Sequence, residues 1–338
     1  MIAKRRFRNF FAALLCALVS VAMLAVPGNA AQSIKITVPT VTPADAAYFI
    51  AAQKGYFAAE GLDVEFVFAG GGTATPALMS GTIDGSASGS AALSAIMRGA
   101  PLRVVLVFTE SPAYQVWAQP DIHSLADLKG KNVGVNTRGD TFEIAMRLAL
   151  QAAGIPPDSV GYTPVGFGSQ VSAAFDSGAL SAAIITSGNV IQMRQLGQFK
   201  NAHMIADFYG KVHMPWNAFA MSEKVLYGNP VLAKKMMRAI IKGARYMKAF
   251  KSEAIAMTEK YQKDINLSAD QADFTEFLSE LTPDWTVGND LVASDLNVRA
   301  GLLNLPKDQI PPIAKVYDFG LVRTINAELD ASHWKPTR

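Results

Sequence analysis

One structural plan is written twice in succession along this chain. Residues 34–38 alternate apolar and polar side chains as a strand does, Pro39 to Asp45 supply residue types that begin helices, and apolar residues then recur at helical spacing until Gly61. Residues 64–68 are extended again, Gly70-Gly71-Gly72-Thr73 turns the chain, and 74–80 reads as a short helix closed by Gly81. A third strand at 83–87 passes through Ser88-Gly89-Ser90 into a helix at 91–98. The order then repeats: strand 133–135, turn Arg138-Gly139-Asp140-Thr141, helix 142–153, Gly154, strand 160–165 and Gly166-Phe167-Gly168-Ser169. A short helix 170–177 closed by Gly178, strand 182–185, Thr186-Ser187-Gly188-Asn189, a helix to Leu196 and a strand around 203–206 complete it. Thr141 follows Asp45 by 96 positions, Gly154 follows Gly61 by 93, and Gly178 follows Gly81 by 97. Near-constant offsets at three marks in the same order predict two α/β lobes built to one plan.

In open sheets of parallel strands with helical crossovers, the loops leaving the carboxyl ends of the strands gather along one edge, and ligands bind there. Those loops are 40–45, 70–73 and 86–90 in the first unit and 138–141, 166–169 and 186–189 in the second. Each is small and polar, and each opens a helix, whose unpaired amides and partial positive charge suit an anion or a polar ligand atom. Any single Ser or Thr among them is explained by capping alone. Six such loops over one cleft point, as a group, to a binding site. The candidate contacts are Thr42, Asp45, Gly72, Thr73, Ser88, Ser90, Arg138, Asp140, Thr141, Ser187 and Asn189, with Glu110 where the units join. Tyr48, Phe167 and Trp216 are rings able to stack on a flat ligand.

Two stretches read as crossings between lobes: 108–121, which Ser111-Pro112 interrupts before an extended 114–118, and 210–216, where Pro215 precedes the apolar 218–221. Two crossings make the first lobe discontinuous, so lobe 1 is expected at 31–112 plus 217–338 and lobe 2 at 113–216, with hinges that permit closure on a ligand. The remainder supplies helices. Asn229-Pro230 is a cap followed by proline at the first helical position, and Met236, Ile240, Ala244 and Met247 recur at helical spacing through 234–250. Further helices are expected at 251–261, 268–280 and 317–329, punctuated by Pro283, Pro306, Pro311 and Pro312.

With 338 residues, 50% of them hydrophobic and 17% charged, the chain can bury two cores. Its net charge of +3 is local in origin. Four of the 31 basic residues, Lys4, Arg5, Arg6 and Arg8, lie in residues 1–30 without an acid, which leaves 27 bases against 28 acids. The body therefore has no basic surface for nucleic acid. Residues 1–30 have the pattern of a secretory signal peptide: basic start, apolar run to Val26, then Pro27-Gly28-Asn29-Ala30, with cleavage expected after Ala30 and a periplasmic destination. No later apolar run has membrane-spanning length, so no direct membrane insertion is expected after cleavage. Cys16, the only cysteine, sits mid-leader, which removes disulfides, cysteine nucleophiles and thiolate metal sites from the remainder.

Enzyme signatures are missing from the sequence. His123, His203, His213 and His333 have no metal-ligand spacing. Gly85-Ser86-Ala87-Ser88-Gly89 carries Ala87 where a nucleophile elbow needs serine. The glycines at 70–72 lack the Gly-Lys-Ser/Thr ending of a phosphate loop and do not form a dinucleotide fingerprint. No cofactor is implied. Asp45, Glu110 and Asp140 are carboxylates near the expected cleft, and each is equally explained as a cap or a hinge contact.

At this point the chain resembles the substrate-binding proteins of ABC importers, in the group that takes up nitrate, sulfonates, taurine and thiamine pyrimidines. The resemblance is carried by Ala51-Ala52-Gln53-Lys54-Gly55-Tyr56-Phe57 with Glu60-Gly61-Leu62-Asp63-Val64, by Ser80-Gly81-Thr82-Ile83-Asp84, by Leu125-Ala126-Asp127-Leu128-Lys129-Gly130-Lys131 and by Tyr317-Asp318-Phe319. It implies a type II periplasmic-binding fold, two α/β lobes with a ligand cleft and two hinge crossings. It further implies a monomer that captures a sulfonate-, taurine-, nitrate- or pyrimidine-like molecule and delivers it to a membrane permease. Family members line the cleft with the helix before the Lys-Gly-Tyr-Phe segment, here Asp45 and Tyr48, with the turn at Ser88 to Ser90, and with Asp140 and Thr141. Where sulfonate binders often place a Gly-Ser or Ser-Thr pair, this chain has Gly139-Asp140-Thr141, and a carboxylate beside an anion is unfavourable. Arg138, turned inward, would offset it. The alternatives are an enzyme like the thiamine pyrimidine synthase, whose chemistry needs a cysteine-rich segment that this chain lacks, and a receptor feeding a signalling partner.

Overall fold

The structure, a computed structural model, describes residues 31–39, 41–166, 168–261 and 271–338. The expected leader at 1–30, and Phe167, lie outside the described residues. Ser33–Arg338 forms one compact unit.

The first half runs β1 (Gln32–Val38), a 3₁₀ turn at Pro43–Asp45, α1 (Ala46–Gln53), α2 (Tyr56–Ala59), β2 (Leu62–Phe68), α3 (Gly71–Ser80), β3 (Gly85–Ser86), α4 (Gly89–Met97) and β4 (Leu102–Thr109). After a crossing come β5 (Tyr114–Ala118), β6 (Asn132–Val135), α5 (Thr141–Ala152), β7 (Gly161–Pro164), α6 (Ser169–Asp176), β8 (Ala182–Thr186), α7 (Ser187–Gln195) and β9 (His203–Asp207). The chain then returns in β10 (Trp216–Ser222) and ends in α8 (Glu223–Gly228), α9 (Pro230–Ala249), α10 (Lys251–Glu259), α11 (Gln271–Ser279), α12 (Asn289–Leu303) and α13 (Gly320–Ala331).

Two five-stranded sheets result, ordered β2-β1-β3-β10-β4 and β7-β6-β8-β5-β9. The orders superpose strand for strand. β1 pairs parallel with β3 as β6 does with β8, while β10 runs antiparallel between β3 and β4 as β5 does between β8 and β9. The strand inserted into each sheet is the one that follows a crossing: β5 lies between the two copies of the plan and β10 after the second. Trp216 already pairs with Thr109, one residue before the expected resumption of the first lobe at 217. The crossings lie side by side: Gly210 N donates to Ser111 Oγ at 2.7 Å, Met214 N to Glu110 O at 2.8 Å and Phe208 N to Tyr114 O at 2.9 Å.

Helix α1 is buried at every position from Ala46 to Ala51, because α9 and α10 cover the side away from the sheet. A helix apolar all round is an interior helix. α9 begins as its sequence predicts, with the Asn229 side chain accepting from Leu232 N and Pro230 in the first turn. α13 starts at Gly320, three residues later than the spacing suggests, because Val316 to Asp318 are held as a parallel bridge on β4. The helix expected from 268 is observed from Gln271, and 262–270 lie outside the described residues. α12 has no counterpart in the apolar periodicity, since its buried face carries Asp295 and Arg299 between Val292, Leu296 and Ala300. Among the described residues no helix is long and apolar enough to cross a membrane.

Candidate functional site

The carboxyl ends of both sheets open on one cavity of about 360 Å³. The first half lines it with Thr42 and Asp45 of the 3₁₀ turn, Gly71 and Gly72 at the start of α3, and Ser88 and Ser90 at the start of α4. The second half brings Arg138, Asp140 and Thr141 at the start of α5, and Ser187, Gly188 and Asn189 at the start of α7. Trp216, read from sequence as a stacking ring, lies on the wall. Four helices thus begin at the cavity. The N-caps of α3 and α4, Gly70 and Ser88, make no side-chain cap bond. The hydroxyl oxygens of Ser88 and Ser90 are buried and have no hydrogen-bond partner among the described residues. A buried unpaired hydroxyl is costly, so a group that bonds these oxygens gains more than it would at a satisfied surface.

Three of the sequence candidates lie elsewhere. Tyr48 is fully buried, edge-on to Phe108 at 5.8 Å and tilted against Phe219 at 5.8 Å, and burial holds its hydroxyl pKa well above the usual value. The helical spacing could not show that α1 is enclosed, which turns Tyr48 into the core. Thr73 is exposed and its hydroxyl donates to Gly70 O at 3.1 Å, as a turn residue. Glu110 belongs to the crossing and is outside the cavity wall. Phe167 lies outside the described residues.

Asp140 reaches the cavity but is occupied as the cap of α5. Its carboxylate accepts from Phe142 N and Glu143 N at 3.0 Å each and from Thr137 N at 2.7 Å. Arg138 lines the cavity but its guanidinium does not pair with Asp140. Its Nη1 donates to Tyr162 O at 3.1 Å and its Nε faces Glu143 Oε2 at 3.5 Å, while Glu143 also accepts from Gly139 N at 2.9 Å. The buried Glu143 therefore draws the guanidinium away and fixes the turn.

Burial, offset in part by the three backbone hydrogen bonds, lifts the Asp140 carboxyl above its ordinary 3.8. The folded protein then holds this proton more tightly than the unfolded chain does. The group's contribution to stability is present below pH 3.8 and is lost as pH rises through the folded value. Asp140→Asn keeps a capping oxygen. The stability of wild type minus that of the variant is therefore expected to fall as pH rises above 3.8 in urea denaturation. A difference that rises with pH contradicts this assignment.

The wall contains groups that sequence reading did not single out. Tyr114 stacks on Phe142 at 4.3 Å with 13° between planes and meets Trp216 edge-on at 5.4 Å. Trp216 Nε1 donates to the Tyr114 hydroxyl at 2.8 Å, and that hydroxyl shares a hydrogen bond with Thr141 Oγ1 at 2.7 Å. One rigid aromatic unit thus spans both sheets. The strand alternation that buries Tyr114, Val116 and Ala118 was the signal for its inward direction. Beside it, Asn217 takes a left-handed φ of 48° and donates to Ala44 O, tying β10 to the 3₁₀ turn. The halves also touch across the cavity: Ser94 Oγ donates to Gly139 O at 3.1 Å, and Thr42 packs on Gly188. Among the described residues no group of three or more His, Cys, Asp or Glu could hold a metal ion.

Two α/β lobes of one topology, joined by paired crossings and closing on a cavity ringed by helix starts, define the periplasmic-binding-protein fold. The periplasmic nitrate-binding protein NrtA from Synechocystis PCC 6803 has this fold, with a TM-score of 0.67 at 17% identity over 90% of this chain and 91% of that one. The profile of the family described as NMT1/THI5 like matches residues 42–254, and the chain belongs to that family. Among relatives, the riboflavin-binding protein RibY of Chloroflexus aurantiacus is 28% identical over 255 residues, covering 73% of this chain and 70% of that one. A Brucella abortus protein whose name describes it as a binding protein is 30% identical over 269 residues, 77% of this chain and 83% of its own.

Proposed function

We propose that the chain is an exported solute-binding protein that captures one small organic molecule between its lobes, leaves it chemically unchanged and delivers it to the permease of an ABC importer. The observation that carries this reading is the cavity itself, walled by both halves and bordered by the buried hydroxyls of Ser88 and Ser90 beside open helix starts. Lobe 1 (31–112 with 217–338) and lobe 2 (113–216) move as bodies about the paired crossings, and residues 1–30 direct export. A ring-shaped ligand fits better than a small anion. Trp216, Tyr114 and Phe142 line the cavity with aromatic rings, Asp140 closes the positive end of α5, and Arg138 is engaged by Glu143. A relative named for binding riboflavin, a ring compound with polar edges, supports the same class.

The energies suffice. A micromolar ligand requires about 8 kcal/mol, helix ends supply roughly 0.3–1 kcal/mol each, and charge-involving hydrogen bonds roughly 1.5–3 each, before a stacked ring is added. Thermal denaturation of residues 31–338 with pyrimidines, flavins, aromatic carboxylates, sulfonates and nitrate tests the reading, because a ligand of the folded form raises its stability. A ring compound is expected to raise Tm and to be recovered intact by mass spectrometry. A chemically altered ligand, or a panel in which nitrate and sulfonates alone stabilise, contradicts it.

A further inference from the structure

We infer that Phe277 is the residue that sets how large a ring system the cavity accepts, an inference that rests on the binding reading above. The cavity is made almost wholly from residues within the family match at 42–254; Phe277, on α11, reaches it from beyond that match. Its selectivity is therefore supplied by a helix that the shared two-lobe plan does not specify.

The aromatic wall is fixed. Trp216 and Tyr114 are tied by the 2.8 Å hydrogen bond, and Tyr114 is bonded to Thr141 and stacked on Phe142. Neither Trp216 nor Tyr114 can retreat without breaking a hydrogen bond. Phe277 closes the cavity by bulk alone. It is 3% exposed, and α11 packs on α10 and on the 3₁₀ turn that carries Thr42 and Asp45. The chain after α11 is anchored to β4: Thr282 N donates to Phe108 O at 2.7 Å, Thr282 Oγ1 donates to Val107 O at 2.8 Å, and Leu281 bridges Thr109. The helix is thus held in place from both sides, and shortening the ring adds room to the cavity there.

The test measures the affinity ratio of two probes, cytosine with one ring and lumichrome with three, for wild type, Phe277→Ala, Phe277→Leu and Phe277→Trp. The alanine variant is expected to shift the ratio toward lumichrome by about tenfold or more, as methylene-scale changes in apolar pockets do. Leucine is expected to give a smaller shift of the same sign, and tryptophan a shift the other way. Leucine keeps most of the buried volume, so the series stands even if the alanine variant fails to fold. A ratio within about twofold of wild type in both the alanine and leucine variants, with wild-type binding intact, overturns the size limit and leaves the binding reading in place. If wild type binds neither probe, gain of lumichrome binding by the alanine variant still supports the inference. Binding of neither probe by any of the four proteins counts against this inference and against the ring-ligand reading together.

Discussion

Asp295→Ala is expected to destabilise the protein by about 3–5 kcal/mol, the cost of leaving a buried charge without its partner. Asp295 and Arg299 lie one turn apart on α12, both side chains fully buried, with Arg299 Nε donating to Asp295 Oδ2 at 2.7 Å. The two terminal guanidinium nitrogens, Asp295 Oδ1 and the neighbouring Tyr317 hydroxyl have no hydrogen-bond partner among the described residues. The pair is therefore held by one strong contact away from the surface, and removing the carboxylate strands a full positive charge. The paired replacement Asp295→Leu with Arg299→Met removes both charges at similar volume. It is expected to be near neutral, or stabilising by about 1–4 kcal/mol, because desolvation of the ions is relieved together. Urea denaturation decides the matter. The midpoint of the alanine variant is expected to fall at an unchanged m-value. A loss below about 1 kcal/mol would show that the charge finds water without unfolding.

Gly89→Ala is expected to cost about 1–3 kcal/mol or more and to abolish ligand binding. A Cβ at Gly89 would lie 2.6 Å from Ala218 O and 2.9 Å from Ala220 N, which are backbone atoms of β10 that cannot turn aside. The start of α4 must then lift from the sheet, and Ser88 and Ser90 move with it. Gly72→Ala is the control. A Cβ there meets nothing within 4 Å, and alanine is the better helix former, so its stability is expected to equal or exceed that of wild type. Thermal melts and titration with the best binder of the ligand panel read both effects. Retained binding by Gly89→Ala at wild-type affinity would mean that the start of α4 is not part of the site.

The contrast between Gly72 and Gly89 illustrates what local pattern can and cannot convey. Glycine at a helix start announces a turn in either case, and only the neighbouring strand distinguishes a vacant side from a closed one. The duplicated plan was legible because strand-to-helix punctuation is local chemistry: Gly61 and Gly154, or Gly81 and Gly178, mark the same event in each half. The ring of helix starts followed from that plan without knowledge of any contact. Side-chain direction did not. Tyr48 has the same local spacing whether or not α9 and α10 cover α1, and the Arg138 guanidinium is taken up by Tyr162 O and by the buried Glu143, five positions on. α12 escaped periodicity because an internal ion pair occupies the positions where apolar residues signal a helix. Phe277 carried no signal at all, since its role depends on where a distant helix docks.

The central claim, that two lobes close over a single ligand, is open to one direct measurement. Cys16 is the only cysteine in the sequence, so residues 31–338 can be labelled at Ser80→Cys on α3 and Gln151→Cys on α5, both exposed and in opposite halves. Titration with the strongest binder of the ligand panel, read by the distance between the two labels, is expected to show the distance shortening in step with saturation at one ligand per chain. Saturable binding at an unchanged distance, or binding of two equivalents, would contradict the account.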